Sequence, residues 1–531
     1  MSATTLAHPG APTLTYPTGS RQAIITITVI LCAIIELIDT SIVNVALNDM
    51  AGNLGATMSD VAWVVTSYAI SNVIVIPMAS FLSNKLGRRT YFIGSILLFT
   101  VASVLCGQAS GIWELVVWRF IQGIGGGALL TVAQTILVES YRPEDLDKAN
   151  GLFGLGVVMG PALGPVIGGL LIDNYSWPWI FYVNVPVGLL AAFLAYTYVP
   201  APQTAHPAGK GDWLGIFLLI VGIGSLQVVL EEGQREDWFE SKMILTLAIM
   251  AAGALSTFIW WQLRSKAPVI NLRLLAKPGL LFGSILTAVF GFGIFGASYV
   301  FPIYAQGLLG WTATATGLLT LPSALATGFL MGGTGGMVKN GVSPKLLTGL
   351  GFLIVAYFGY FSWQHTTLDA GTWALFWPQF IRGIGFGLIF VPITSLAMTG
   401  LKGEDVGQAS GITNMVRMIG GSLGISLMNT YTTQRTALHR NDLVLNYNLG
   451  NPALLHRLQG MTQGLMAKGA DAFTARKQAL AALDGLASQQ AALLSFADAF
   501  LLIGLVFLAA LPLVFFIRRK KGEAAVVSMG H

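Results

Sequence analysis

The sequence predicts an all-α membrane protein with about fourteen transmembrane helices, and three observations lead to this prediction. Of 531 residues, 54% are hydrophobic and only 10% are charged, whereas soluble domains carry about 25% charged residues. Apolar stretches of roughly 20 residues, the length that crosses a bilayer, recur along the whole chain. The later stretches also repeat the earlier ones in sequence, which indicates two homologous halves.

Glycines, prolines and charged residues separate the apolar runs into fourteen predicted spans. An even number of spans places both chain ends on the same side of the membrane. The spans lie approximately at residues 22–48, 60–82, 90–109, 112–138, 146–173, 178–199, 213–232, 241–263, 279–303, 314–338, 344–364, 370–398, 405–430 and 492–517.

The second half repeats the first at a constant offset. The segment RFIQGIG, which begins at Arg119, returns as QFIRGIG at Gln379, 260 positions later (379 − 119), and the same offset relates Gly160 to Gly420. This register indicates two six-span bundles with a site between them, near the middle of the bilayer. The predicted organisation is a disordered cytoplasmic tail at 1–21, an amino-terminal bundle at 22–200, two inserted spans with linkers at 201–278, a carboxy-terminal bundle at 279–517 and a basic cytoplasmic tail at 518–531.

The distribution of Lys and Arg predicts the orientation. Basic residues concentrate in alternate short loops, which therefore face the cytoplasm, while the loop at 231–240 is acidic, as expected on the outer side. The basic positions are Lys85, Arg88, Arg89, Arg264, Lys266, Arg273, Lys277, Lys339, Lys345, Arg518, Arg519, Lys520 and Lys521.

The first span carries two carboxylates, Glu36 and Asp39, within the run IITITVILCAIIELIDTSIVNVAL. An acid at mid-span costs about 2.5–3.5 kcal/mol on insertion scales, which hydrophobic packing alone does not offset. The two lie on one face of a helix, where apolar surroundings and mutual repulsion disfavour their charged forms. The pair therefore predicts a site that binds and releases protons. The carboxy-terminal spans contain no Asp or Glu before Glu404, so proton carriage falls on this pair.

Other chemistries lack the residues they need. The net charge of +5 comes from scattered Lys and Arg, so we expect no nucleic-acid partner. Cys32 and Cys106 lie in apolar runs without a CxxC or a His cluster, which predicts neither a disulfide nor a metal site. The glycines around Gly125 do not form a phosphate loop, because no strand precedes them and no GK[ST] follows. We therefore expect no cofactor and no enzymatic activity.

Four segments of the amino-terminal half form a set: IDTSIVNVALN from Ile38, FLSNKLGRRTYF from Phe81, LVVWRFIQGIGGG from Leu115 and GPALGPVIGG from Gly160. Each is weak alone, but their order and spacing are specific. Together they resemble the major facilitator superfamily, in particular its fourteen-span drug:proton antiporter branch of EmrB/QacA-like multidrug efflux transporters. The resemblance implies the major facilitator fold, with two six-helix bundles plus two inserted helices.

The resemblance also implies a latch in the loop between the second and third spans, where basic residues hold the ends of neighbouring helices in one state. The same residues serve as topology charges, and Asn84 stands where the family usually has Asp. The latch residues are Asn84, Lys85, Gly87, Arg88 and Arg89.

Arg119 lies inside the fourth span, where a guanidinium must pair, face water or snorkel to the surface beside Glu114. We expect it to pair with the acids of the first span. In the fifth span, small residues allow close helix packing and prolines kink the helix; the resemblance implies that this bend seals a leak path and favours export. This antiporter motif comprises Gly160, Pro161, Gly164, Pro165, Gly168 and Gly169.

Aromatic and amide side chains within the spans are the candidate walls of a substrate cavity, and Arg382 and Arg417 favour an anionic or weak-acid ligand. The candidate wall residues are Asn44, Trp63, Asn72, Gln134, Tyr299 and Gln306.

We therefore predict an exporter of lipophilic compounds in the bacterial inner membrane, in which Glu36, Asp39 and Arg119 couple export to proton entry. The two bundles rock to give alternating access. The alternatives are transport of one specific metabolite and a membrane sensor that transports nothing.

The segment at 432–491 is too polar to span and is predicted to lie outside the membrane. Asn451 and Pro452 form a plausible helix start, and apolar residues at helical spacing from Leu454 to Met466 predict an amphipathic helix. Its apolar stripe needs a cover, which is either the protein's own outer surface or the lipid headgroups. A third cover, implied by the resemblance, is a periplasmic adaptor protein that passes substrate to an outer-membrane channel.

Overall fold

The computed structural model describes residues 16–142, 145–200, 212–266, 268–401, 404–445 and 452–516. The predicted tail at 518–531, most of the tail at 1–21 and the linker at 201–211 lie outside these residues. Every regular element in the described part of the chain is a helix. The helices are α1 (Ser20–Leu54), α2 (Met58–Leu86), α3 (Arg88–Gln108), α4 (Ile112–Ser140), α5 (Leu146–Asn174), α6 (Trp179–Tyr182), α7 (Asn184–Tyr198), α8 (Trp213–Glu232), α9 (Lys242–Arg264), α10 (Pro278–Pro302), α11 (Ala313–Lys339), α12 (Pro344–His365), α13 (Thr372–Met398), α14 (Glu404–Leu445), α15 (Pro452–Ala467), α16 (Ala472–Ala510) and α17 (Leu513–Phe516).

Twelve helical segments of the described chain are long and apolar enough to cross a membrane, which confirms the predicted fold class. Each of the fourteen predicted spans coincides with a helix, and the sixth is divided into α6 and α7 at Val183. Of the fourteen predicted spans, α14 is the least apolar, because glycines and polar residues interrupt it.

The repeat at an offset of 260 residues has a counterpart in the way the helices touch. In the first half, Gly123 and Gly125 of α4 lie so close to α2 and α3 that a Cβ atom would overlap their backbones. In the second half, Gly383 and Gly385 of α13 lie equally close to α11 and α12. The packing of α5 on α1 likewise matches the packing of α14 on α10. The sequence repeat is therefore a repeat of helix packing.

The two halves meet where α5 packs on α11 and α2 packs on α14. The inserted helices α8 and α9 pack on each other, and α8 also contacts α2 and α14. Two hydrogen bonds fix α8: Thr66 Oγ1 donates to Glu232 Oε1 (3.2 Å), and Gln227 Nε2 donates to Ser422 Oγ (2.7 Å). The insert is thus tied to both halves.

The segment predicted at 432–491 forms a helical hairpin that extends two spans. α14 continues to Leu445, well past the predicted span end at 430, and α16 begins at Ala472, well before the predicted start at 492. The prediction ended both spans where hydropathy falls. The helices continue beyond those points because polar contacts hold α14 and α16 together. Asp498 of α16 accepts hydrogen bonds from Arg435 (2.7 Å) and His439 (2.8 Å) of α14.

The predicted amphipathic helix is present as α15 (Pro452–Ala467), although Asn451 lies outside the described residues. Its apolar stripe packs on Ala479 and Leu483 of α16, so the protein's own surface is the cover. The stripe residues in this cluster are Leu454, Leu458, Met461 and Leu465.

This packing makes Leu458 the anchor of α15. Leu458 is 9% exposed, whereas Met466 on the same helix is 45% exposed. We expect Leu458→Ser to release α15 from α16 and to raise its hydrogen exchange and its cleavage by proteases, because removing a buried leucine side chain typically costs about 2–5 kcal/mol. The matched control Met466→Ser should leave both unchanged. Equal protection of α15 in the two variants would contradict this packing.

Candidate functional site

Asp39 is the centre of a buried polar network in the first half. It is completely buried on α1, and its Oδ2 pairs with Nη1 of Arg119 on α4 at 2.5 Å. Its Oδ1 accepts hydrogen bonds from Gln122 (2.9 Å) and from Asn184 (2.7 Å). Ser103 of α3 in turn accepts from both amides. Four helices, α1, α3, α4 and α7, therefore hold this carboxylate in place.

Arg119 has further partners besides Asp39. Its Nε donates to the carbonyl oxygen of Val64 (3.2 Å), and its Nη1 also donates to Gln122 Oε1 (2.8 Å). The guanidinium lies 4.1 Å from the centroid of the Tyr68 ring. Arg119 is only 1% exposed, so it pairs inside the bundle and does not snorkel to the surface.

Glu36 is also completely buried but has different neighbours. Its Oε1 accepts one hydrogen bond, from Nδ2 of Asn72 (2.9 Å). Its Oε2 has no hydrogen-bond partner among the residues that the structure describes. Arg417, on α14 of the second half, is close enough to interact with it electrostatically. The two acids of α1 are therefore unequal: Asp39 is enclosed within one half, and Glu36 faces the other half.

The ion pair between Asp39 and Arg119 can exist in two states that differ by one proton. With both groups charged, every oxygen of the carboxylate is bonded, which offsets the cost of burying the charges. With Asp39 protonated, the attraction is lost, but Arg119 keeps Val64, Gln122 and the Tyr68 ring as partners. A buried pair that can lose a charge without losing all its contacts has the properties of a proton-dependent switch.

Two small cavities lie between the halves, and Glu36 lines neither of them. The first is bounded by Gln134 of α4 and by residues of α10, α13 and α14. The second is bounded by Leu37 of α1, by α5 and by α10. Phe290 and Arg417 line both cavities. Asn414 Nδ2 donates to Gln134 Oε1 across the first cavity (2.9 Å), which joins the two halves at this point.

The predicted cavity residues are only partly brought together. Gln134 lines the first cavity, and Asn72 is the donor to the first-span acid. Asn44 is exposed on α1 and hydrogen-bonds within its own helix. Three more are half-buried and line neither cavity: Trp63, Tyr299 and Gln306.

The predicted latch begins at Gly87, whose φ of 84° lies in the region that favours glycine and ends α2 in a tight turn. The next residue, Arg88, forms an ion pair with Glu139 at the end of α4. Arg89 donates a hydrogen bond to the carbonyl oxygen of Tyr196 near the end of α7. These basic residues therefore join the start of α3 to the ends of two neighbouring helices of the same half.

The remaining latch contacts extend to the insert. The Lys85 ammonium group lies 5.4 Å from the centroid of the Trp213 ring, at the start of α8. The side chain of Asn84 is not among those that the structure describes. On the same side of the bundle, Lys339 of α11 pairs with Asp145 before α5 at 3.0 Å. This pair crosses from one half to the other, whereas the contacts of Arg88 and Arg89 given above lie within the first half.

The antiporter motif lies on α5, which continues through Pro165 without interruption. Three of its glycines form a ridge at every fourth position, against which α1 packs directly beside the two acids. A Cβ atom on any of them would overlap α1. The ridge glycines and their α1 neighbours are Gly160 with Leu37, Gly164 with Ser41, and Gly168 with Ile42.

Sequence reasoning missed several residues of this network. Gln122 and Asn184 complete the shell of Asp39, and Glu139 is the partner of Arg88. Gln122 had a signal, because it follows Arg119 by three positions and so lies on the same face of the helix. For the others, an amide or acid near a span end gives no indication of its partner on another helix.

The chain is similar in sequence to known proteins over most of its length. The sequence matches the Major Facilitator Superfamily over residues 29–425. It is 32% identical to the fatty acid resistance protein FarB of Neisseria gonorrhoeae, over 93% of this chain and 96% of that protein. It is also 32% identical to the multidrug export protein EmrB of Escherichia coli, over 95% of this chain and 97% of that protein.

The fold has a counterpart among solved structures. A bacterial homologue of the human lysosomal transporter Spinster, solved in an inward-facing and occupied conformation, aligns with a TM-score of 0.53 at 15% identity. The alignment covers 94% of this chain and 97% of that one. At this identity the similarity concerns the fold alone.

Proposed function

Because the chain belongs to the major facilitator superfamily, we propose that it is a multidrug efflux transporter that exports lipophilic compounds across the bacterial inner membrane in exchange for protons. Similarity to a multidrug export protein over nearly the whole chain supports export. The observation that supports proton coupling is the completely buried carboxylate of Asp39, paired with Arg119 inside an apolar bundle. An intramembrane ion pair of this kind typically marks a proton pathway.

In the proposed mechanism, Asp39 takes a proton from the outside and releases it to the cytoplasm. Protonation weakens its hold on Arg119, so α1 and α4 can shift relative to each other while the remaining Arg119 contacts persist. Substrate occupies the cavities between the halves, and the two halves rock around it. Each cycle must break and remake the contacts between halves, including Asn414 with Gln134 and Lys339 with Asp145.

The proposed orientation places both termini in the cytoplasm, on the side where α1 begins. The basic latch residues and Lys339 lie on this side, as the positive-inside rule requires. Their contacts support a latch that holds the cytoplasmic ends of α3, α4, α7 and α8 in a fixed arrangement. The glycine ridge of α5, which seats α1 beside the acids, is the part of the antiporter motif that we propose prevents proton leakage.

A periplasmic adaptor protein and an outer-membrane channel remain proposed partners, on the basis of resemblance. The hairpin of α14, α15 and α16 extends on the periplasmic side in this orientation. Because α16 already covers the stripe of α15, an adaptor would have to contact other faces of the hairpin.

The dependence of export on the proton gradient, as opposed to ATP, tests this proposal. Collapsing the proton gradient should raise the accumulation of lipophilic dyes to the level of cells that lack the protein, whereas depletion of ATP under a clamped gradient should not. Persistent export after the gradient collapses would contradict proton coupling. No difference in accumulation for any compound would instead favour the sensor or the transporter of a single metabolite.

A further inference from the structure

Arg382 of α13 is a buried cation inside the second half, and no carboxylate balances its charge within the described part of the chain. It is 6% exposed, and its Nε donates to Ser323 Oγ of α11 at 3.2 Å. Its Nη1 has no hydrogen-bond partner among the residues that the structure describes. None of the ion pairs formed between those residues includes it. Because a buried guanidinium is costly unless its charge is balanced, Arg382 indicates a bound anion.

The repeat between the halves shows what surrounds Arg382. Equivalent glycines of the two halves touch equivalent positions of the neighbouring helices, and these contacts fix the offset of each helix. They relate α10 to α1 by 251 residues (288 − 37) and α12 to α3 by 256 (351 − 95), beside the 260 that relate α13 to α4 (379 − 119). The contacts used are Gly160 with Leu37, Gly420 with Ala288, Gly125 with Ser95, and Gly385 with Gly351. Arg382 therefore stands at the position that Gln122 holds in the first half (382 − 260).

The position of Asp39 is apolar in the second half. Asp39 corresponds to Phe290 (39 + 251), which is 1% exposed. In the first half Gln122 donates to Asp39 at 2.9 Å, so Arg382, at the position of Gln122, faces a position without a carboxylate. The second half therefore keeps a buried arginine at this level of the bundle but lacks the acid that balances the arginine of the first half.

Two more buried polar groups beside Arg382 lack partners. Cys106 Sγ lies 3.5 Å from Gln122 Oε1, so Ser362, the counterpart of Cys106 (106 + 256), faces Arg382 from α12. Within the described residues, neither Ser362 Oγ nor Oε1 of Gln379, one helical turn before Arg382, has a hydrogen-bond partner. Ser362 is 4% exposed and Gln379 is 1% exposed. Unsatisfied buried polar groups are rare in folded proteins, so three of them together indicate a bound species.

The chemistry of these three groups defines a small anion. The guanidinium and the serine hydroxyl are donors, and the Gln379 amide becomes a third donor when it turns by 180° so that Nε2 replaces Oε1. Three donors that carry one positive charge suit a monovalent inorganic anion. We propose that Arg382, Ser362 and Gln379 bind a chloride ion inside the second half, where it balances Arg382 as Asp39 balances Arg119. The site does not depend on what the protein exports.

The test compares the thermal unfolding temperature of the purified full-length protein in sodium chloride and in sodium gluconate, at equal ionic strength and pH. Gluconate is too large for the site, so chloride should raise the unfolding temperature of the wild type by at least about 3 °C, and the rise should saturate with chloride concentration. Arg382→Gln should abolish this rise, and Ser362→Ala should reduce it. The matched control Arg440→Gln removes an arginine that pairs with Asp484 outside the bundle and should keep the full rise.

Gln379→Glu tests the site in the opposite direction. This nearly isosteric change places a carboxylate one helical turn from Arg382, so the side chain supplies the anion. The variant should unfold in gluconate at a temperature close to that of the wild type in chloride, and chloride should add nothing further. Each comparison is made within one variant between two salts, so a general loss of stability does not imitate the result. Equal unfolding temperatures of the wild type in both salts, or a full chloride effect in Arg382→Gln, would overturn the proposal.

Discussion

Asp39→Asn is expected to abolish efflux driven by a proton gradient, down to the background of vesicles that lack the protein. The substitution keeps the volume of the side chain but removes the group that exchanges the proton. The asparagine can still accept hydrogen bonds, and Arg119 retains Val64, Gln122 and Tyr68 as partners. We therefore expect enough folded protein to measure transport in everted membrane vesicles loaded with a fluorescent substrate.

Glu36→Gln is the matched comparison, because it neutralises the other acid of the same helix. Glu36 accepts one hydrogen bond, from Asn72, and does not pair with Arg119. We expect reduced but measurable gradient-driven efflux of neutral compounds. Normal efflux by Asp39→Asn together with loss of efflux in Glu36→Gln would show that Glu36, and not Asp39, couples export to proton entry.

Arg119→Met should destabilise the protein more than Asp39→Asn, Glu36→Gln or Leu458→Ser. It leaves Asp39 completely buried without its cation, and breaking a buried pair from one side typically costs about 3–5 kcal/mol. We expect a lower thermal unfolding temperature in detergent and low abundance in the membrane. Adding Asp39→Asn to this variant should recover much of the stability, because no unpaired carboxylate then remains.

The double variant separates structure from function. It should be folded, as judged by size-exclusion chromatography and thermal unfolding, and still fail to transport against a gradient. A single variant Arg119→Met as stable as the wild type would show that the two charges are not buried together. A double variant that exports substrate would show that the pair is only structural.

The sequence was sufficient to locate the spans and the acids, because apolar length and intramembrane charge are local properties of the chain. The offset between Arg119 and Gln379 also anticipated the repeat of helix packing, since glycines that touch a neighbour must keep their spacing. The sequence could not predict the partners of Asp39, because Asn184 is distant in sequence and an amide at a helix start has many possible partners. Only tertiary packing brings it to the carboxylate.

The ends of α14 and α16 show a second limit of prediction from sequence, which concerns where helices end. Hydropathy falls where a helix leaves the membrane, and the prediction therefore ended the spans near 430 and 492. The helices continue because polar pairs hold them together, such as Arg440 with Asp484 at 2.7 Å. Arg417 was noted as an intramembrane cation, but its place beside the cavities, and the absence of a hydrogen-bond partner for its Nε among the described residues, became visible only in the structure.

The most direct test of the central claim is proton movement in proteoliposomes that contain the purified protein and an internal pH indicator. When a gradient of a neutral lipophilic dye is imposed without any initial pH gradient, the wild type should move protons opposite to the dye. Asp39→Asn should move none. Dye transport by the wild type without proton movement, or the same proton movement by Asp39→Asn, would contradict the assignment of Asp39 as the proton carrier.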